Sequence, residues 1–75
     1  MKNKNFDTWL AIGLNILHYR KEQGMTQMQL AEKCEVSRNH IQRIETAATS
    51  CSLDTLIDIA EDLKSPLKKL FEIKD

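Results

Sequence analysis

The sequence predicts an all-α protein built from five short helices. Apolar residues recur at spacings of three and four along most of the chain, as one face of a helix requires. Ser or Thr stands just before four of these stretches, at Thr26, Ser37, Ser52 and Ser65, where a helix N-cap is wanted. Gly24 and Pro66 punctuate the pattern where helices should stop or start.

The first helix is expected from about Asp7, as N-cap, to Gln23. Trp9, Ile12, Ile16 and Tyr19 form its apolar stripe, and Gly24 ends it. Thr26 opens the second helix. Gln29, three residues on, completes a capping-box pattern, and the helix lasts to about Lys33 or Cys34. Ser37 caps the third, which runs to about Thr46 with Ile41 and Ile44 inward. Ser52 caps the fourth, whose expected buried positions are Leu53, Leu56, Ile57, Ala60 and Leu63. Ser65 and Pro66 begin the fifth, with Leu67, Leu70 and Phe71 inward. Residues 1–5 are expected to fray.

Seventy-five residues make one domain, 1–75, with a core so small that every helix must contribute to it. Hydrophobic content of 41% suits a folded chain rather than a disordered one. No apolar run approaches bilayer thickness, and the N-terminus lacks an apolar signal core, so a cytoplasmic protein without membrane contact is expected. Cys34 and Cys51 have no His or Cys at short spacing, which argues against a metal site. Cys34 lies on an apolar face and reads as a small core residue. His18 and His40 read as solvated or packed. No nucleophile–base pair or Gly-rich phosphate loop occurs, so neither an enzyme nor a cofactor is expected. Net charge is zero, but residues 1–50 carry seven Lys/Arg against five Asp/Glu. Any attraction for a polyanion must therefore come from a local patch there.

Only three or four residues, around Cys34-Glu35-Val36, join the second and third helices. Helices joined so tightly meet at a steep angle and need a small residue where they approach, which Ala31 supplies. From Gly24 to Phe71 the chain resembles the lambda-repressor-like helix-turn-helix domains of Cro/repressor or Xre type. The resemblance rests on Thr26-Gln27, Leu30-Ala31, Val36-Ser37, Ile41, Arg43-Ile44-Glu45, Ser52-Leu53, Ile59-Ala60, Leu63 and Leu70-Phe71, with Arg20 fitting the first helix. It implies a helix-turn-helix at about 26–46, formed by helices 2 and 3. It also implies a sequence-specific transcriptional regulator, a repressor, that binds double-stranded DNA in the major groove.

The resemblance implies residue roles as well. Gln27 would bind a backbone phosphate, and Arg38, Asn39, Gln42 and Arg43 would read bases. Arg20 and Glu45 would form a buried structural ion pair. Two departures stand out. Glu35 occupies a turn position where Gly is usual, at a cost of about 1 kcal/mol if φ is positive there. The segment Thr46 to Ser50 carries no charge where basic residues are frequent.

The residues themselves support that face. At about 100° per residue, Ser37, Ile41 and Ile44 share one side of the third helix, and Arg38, Asn39, Gln42, Arg43 and Thr46 the other. Arg matches the two acceptors of guanine; Asn and Gln match adenine. Gln27 and Ser37 sit at helix N-termini, which favour anions, and with Thr46 they are the candidate phosphate contacts. Capping is the first task of Ser37. A face that is merely solvated, or that serves a protein partner as in an antitoxin or bridging factor, is the competing reading. On the first helix Leu10, Leu14 and Leu17 form a second apolar stripe. It serves either packing against the last helix or a homodimer, which would suit two half-sites of a near-palindromic operator about 34 Å apart.

Overall fold

The computed structural model describes residues 4–73. Among these residues are α1 (Phe6–Glu22), α2 (Gln27–Cys34), α3 (Arg38–Glu45), α4 (Leu53–Asp62) and α5 (Leu67–Leu70), with no strand. Helix α3 packs on both α1 and α2. Helix α4 lies against α2, and α5 closes the bundle against α1 and α4. The core is continuous through Ile12 and Ile16 of α1, Leu30 and Ala31 of α2, Ile41 and Ile44 of α3, Leu56, Ile59 and Ala60 of α4, and Leu63 and Leu70. All five helices contribute, as so short a chain requires.

The N-terminal caps follow local chemistry. Gln29 N–H donates to Thr26 Oγ1 at 3.0 Å, and Thr26 N–H donates to Gln29 Oε1 at 2.8 Å, a complete capping box. His40 N–H and Thr55 N–H donate to the hydroxyls of Ser37 and Ser52. The expected cap of α1 is corrected: Asn5, not Asp7, is the N-cap, and its carbonyl accepts from Trp9 N–H at 3.0 Å. Asp7 falls inside the first turn, where its charge still faces the positive end of the helix. Of the stretch expected to fray, Lys4 and Asn5 form a turn leading into α1, while residues 1–3 lie outside those described. Helix α5 begins at Leu67, with Pro66 as the cap.

Four helices end in one two-bond motif. Met25 N–H bonds Arg20 O and Gly24 N–H bonds Lys21 O. Val36 and Glu35 repeat this on α2, Ala48 and Ala47 on α3, and Ser65 and Lys64 on α4. Each motif turns on one left-handed residue: Gly24 (φ 66°), Glu35 (φ 58°), Ala47 (φ 59°) and Lys64 (φ 55°). Glu35 therefore carries the conformation foreseen for the turn. The same strain at Ala47 and Lys64 was not foreseen.

Three residues expected to be buried are exposed: Leu53, Ile57 and Phe71. The core side of α4 is the stripe Leu56, Ile59, Ala60 and Leu63. Ile57 lies about 100° round from Leu56, and Leu53 starts the first turn at the edge of that stripe. Phe71 follows the last residue of α5. Leu53 and Phe71 instead border a groove of about 320 Å³ whose floor includes Trp9, Ile12 and Leu56.

Two polar or small residues of α1 fix its neighbours. Asn15 Nδ2 donates to Leu70 O at 2.9 Å and to Glu72 O at 2.7 Å, tying the end of α5 to α1. A Cβ on Gly13 would stand 2.5 Å from Glu45 O and 2.6 Å from Ile44 O, so α1 and α3 meet there backbone to backbone. The Cys34 thiol is free and donates to Asp62 Oδ2 at 3.1 Å. Burial, then the hydrogen bond and charge of Asp62, then the charge of Asp58, push it up to about 12. Burial pushes Cys51 up to about 11.

Candidate nucleic-acid interface

Helix α3 is short and strongly two-sided. Ile41 and Ile44 lie inside with Glu45, whereas Arg38, Asn39 and Arg43 are exposed and Gln42 is half-buried. The sharp turn at Glu35 delivers the chain to Ser37 in an extended conformation (φ −77°, ψ 152°), and the Ser37 hydroxyl then starts α3. The donor-rich side chains thus lie off the buried Ile41–Ile44 side, with Arg38 bordering the N-terminal end of α2. His40 is half-buried at the edge, and His18 is exposed on α1 beside Glu22 at 2.9 Å.

Not all these groups are unengaged. Arg43 Nη2 donates to Ala48 O at 3.3 Å, which leans it toward the uncharged loop after α3. Thr46 is the C-cap of α3 and its hydroxyl donates back to Gln42 O at 3.0 Å. The Ser37 hydroxyl is occupied as an acceptor from His40 N–H but remains exposed. Gln27, the first residue of α2, is half-buried and shares a shallow depression with Lys21, Thr26 and Arg38. The N-terminal ends of α2 and α3 therefore open onto one surface, with two cations beside them.

Behind this surface Arg20 and Glu45 meet. Arg20 Nε donates to Glu45 Oε2 at 2.7 Å and Nη2 to Oε1 at 3.2 Å, with both side chains buried. The third guanidinium nitrogen, Nη1, donates to Met25 O at 2.8 Å. Glu45 Oε1 also accepts from Gln27 Nε2 at 2.9 Å, a bond sequence reasoning missed. The sequence carries no signal for it, since its partners lie 18 positions apart on different helices. Gly13 and Asn15 were also missed; a glycine inside a helical repeat is the one hint the sequence offers for the first.

Of the proposed second patch on α1, Leu14 is exposed while Leu10 and Leu17 are half-buried. Among the described residues no three His, Cys, Asp or Glu side chains gather as metal ligands, and no helix is long and apolar enough to cross a membrane.

The helix-turn-helix family model matches residues 16–70, which spans α2, the turn, α3, α4 and α5. The chain belongs to this family. It is of the lambda-repressor-like, Xre type, a family of DNA-binding transcription regulators. The immunity repressor protein of Bacillus phage phi105 is 41% identical to this helix-turn-helix chain over 51 residues, which cover 68% of this chain and 35% of the repressor. The chain thus spans about a third of the length of that relative. The restriction-modification controller protein C.AhdI from Aeromonas hydrophila superposes with a TM-score of 0.86 at 20% identity, over 92% of this chain and all of that one. SinR, a master regulator for biofilm formation solved in complex with DNA, superposes with a TM-score of 0.76 at 31% identity, covering 81% of this chain and 98% of that one.

Proposed function

We propose that this protein is a sequence-specific transcriptional repressor whose residues 1–75 form one helix-turn-helix domain, acting in the cytoplasm as a homodimer on a near-palindromic operator. The observation that carries the reading is the two-sided α3. Its apolar side is locked into the bundle, while Arg38, Asn39, Gln42 and Arg43 lie on the opposite side beside the N-terminus of α2. Inserted in a major groove, these side chains meet base edges, with Arg suited to guanine and Asn or Gln to adenine. Gln27, Ser37 and Thr46 meet phosphates and set the register. Repression by occupancy needs no catalytic group and no effector site. The relatedness to a phage immunity repressor and to a regulator solved with DNA supports the same reading.

Two copies are invoked because one eight-residue helix reads few bases, whereas a pair reads two half-sites one DNA turn apart. Leu14, flanked by Leu10 and Leu17, offers an apolar contact for the second copy. The test is selection of bound duplexes from a random pool, followed by titration of variants on the selected site. A symmetric motif is expected. Arg38→Ala and Arg43→Ala should each weaken specific binding by roughly 1–3 kcal/mol. Parent-like affinity in both variants would remove α3 from the reading role. A protein-interaction module is the second reading, favoured by the zero net charge and by exposed Leu53 and Phe71 beside an apolar groove. It predicts that the pool yields no motif.

A further inference from the structure

Glu45 sits where an ion pair alone would explain it, yet it makes one bond more than a pair needs. Its Oε2 takes Arg20 Nε, and its Oε1 is shared between Arg20 Nη2 at 3.2 Å and Gln27 Nε2 at 2.9 Å. The carboxylate is buried and belongs to the last residue of α3, whereas Gln27 is the first residue of α2. Between those ends lie the turn at Glu35 and the apolar packing of α2 on α3. The bond to Glu45 is thus a polar brace across the helix-turn-helix.

We propose that Glu45 is a positioning residue that acts through Gln27, holding the amide that meets the DNA backbone in fixed register with the reading helix. This rests on the functional reading given above. The chemistry is specific. A carboxylate accepts and does not donate, so it sets which end of the Gln27 amide turns inward: Nε2 faces Glu45. One Nε2 hydrogen is then committed, and the second remains for a phosphate oxygen, next to the free backbone N–H groups that open α2. A bare carboxylate behind that amide would repel the phosphate. Arg20, bonded to both carboxylate oxygens, neutralises it. Arg20 also bonds Met25 O, in the segment that leads into α2, so the brace is anchored on α1 as well. A freely rotating glutamine would lose side-chain entropy on each binding event; a braced one has already lost it.

The experiment separates this role from plain support of the fold. A buried ion pair replaced by apolar residues of similar volume commonly leaves a protein folded. The double variant Arg20→Met, Glu45→Leu therefore removes the acceptor of Gln27 without leaving a lone charge. Its helical circular dichroism and melting curve establish that it folds. Operator affinity is then measured with and without Gln27→Ala in both backgrounds. In the parent, Gln27→Ala should cost about tenfold, as loss of a hydrogen bond to a charged group does. In the double variant, affinity should already be several-fold lower, and Gln27→Ala should cost little more. An equal cost of Gln27→Ala in both backgrounds overturns the proposal.

If the double variant does not fold, the parent alone answers by NMR. The Gln27 side-chain amide should be as ordered as the backbone, with the same order before and after the operator is added. Free averaging of that amide before binding overturns the proposal. If the parent binds no duplex from the pool, the repressor reading fails on its own account, and the NMR measurement still reports on the brace.

Discussion

Gly13 and Glu45 show how much of the seating of α3 is set by single residues. Glycine in a helix costs about 1 kcal/mol against alanine, so its place at the middle of α1 asks for a reason. The reason is the backbone of α3, which leaves no room for a methyl group. Gly13→Ala should therefore destabilise the protein by about 2 kcal/mol, the overpacking cost outweighing the gain in helix propensity. The midpoint of urea unfolding checks this, and an unchanged or higher midpoint would mean that α1 and α3 part without strain. The two thiols make a pH prediction at the same scale. Cys34 and Cys51 are held at about 12 and about 11, above their ordinary value of 9.0. Above pH 9 the unfolded chain releases protons that the folded chain keeps, so the stability is whole below pH 9 and falls as pH rises toward 12. Cys34→Ala and Cys51→Ala together should shrink the difference between the urea midpoints at pH 8 and pH 10.

Helices repeat the lesson with different weights. Their starts were legible in the sequence because a cap is a local device: Thr26, Ser37 and Ser52 need only a free N–H three residues on. Their burial was less legible. Leu53, Ile57 and Phe71 have the right hydrophobicity, but which edge of α4 and α5 meets the core is decided by partners distant in sequence. The site divides in the same way. The two-sidedness of α3 is periodicity, hence readable; the Gln27–Glu45 brace joins residues 18 positions apart and is visible only in three dimensions. The helix ends also carry a prediction. Lys64→Gly and Glu35→Gly relieve left-handed strain at exposed positions and should each stabilise by about 0.5–1 kcal/mol. Ala47 has the same φ but is fully buried, so Ala47→Gly loses packing as it gains freedom and should change stability little. Thermal unfolding of the three variants side by side distinguishes backbone strain from burial.

At the scale of the molecule, charge is local rather than global. A chain with zero net charge gathers Lys21 and Arg38 beside Gln27, with Arg43 farther along α3. Three phosphates neutralised per copy give a slope of log affinity against log salt of about −3, and about −5 for a dimer. A filter or fluorescence titration across salt concentrations measures it. A slope near zero would place binding outside this surface, and one much steeper would enlist cations elsewhere.

The Asn15 amide adds a last point. It clasps carbonyls 55 and 57 positions away along the chain. Small helical proteins otherwise make most contacts between near neighbours in sequence, which speeds folding but lets terminal turns peel off separately. A latch between the earliest and latest helices opposes such peeling and makes both melt together. Loosening the end of α5 thus unseats α1, and with it the bed on which α3 rests.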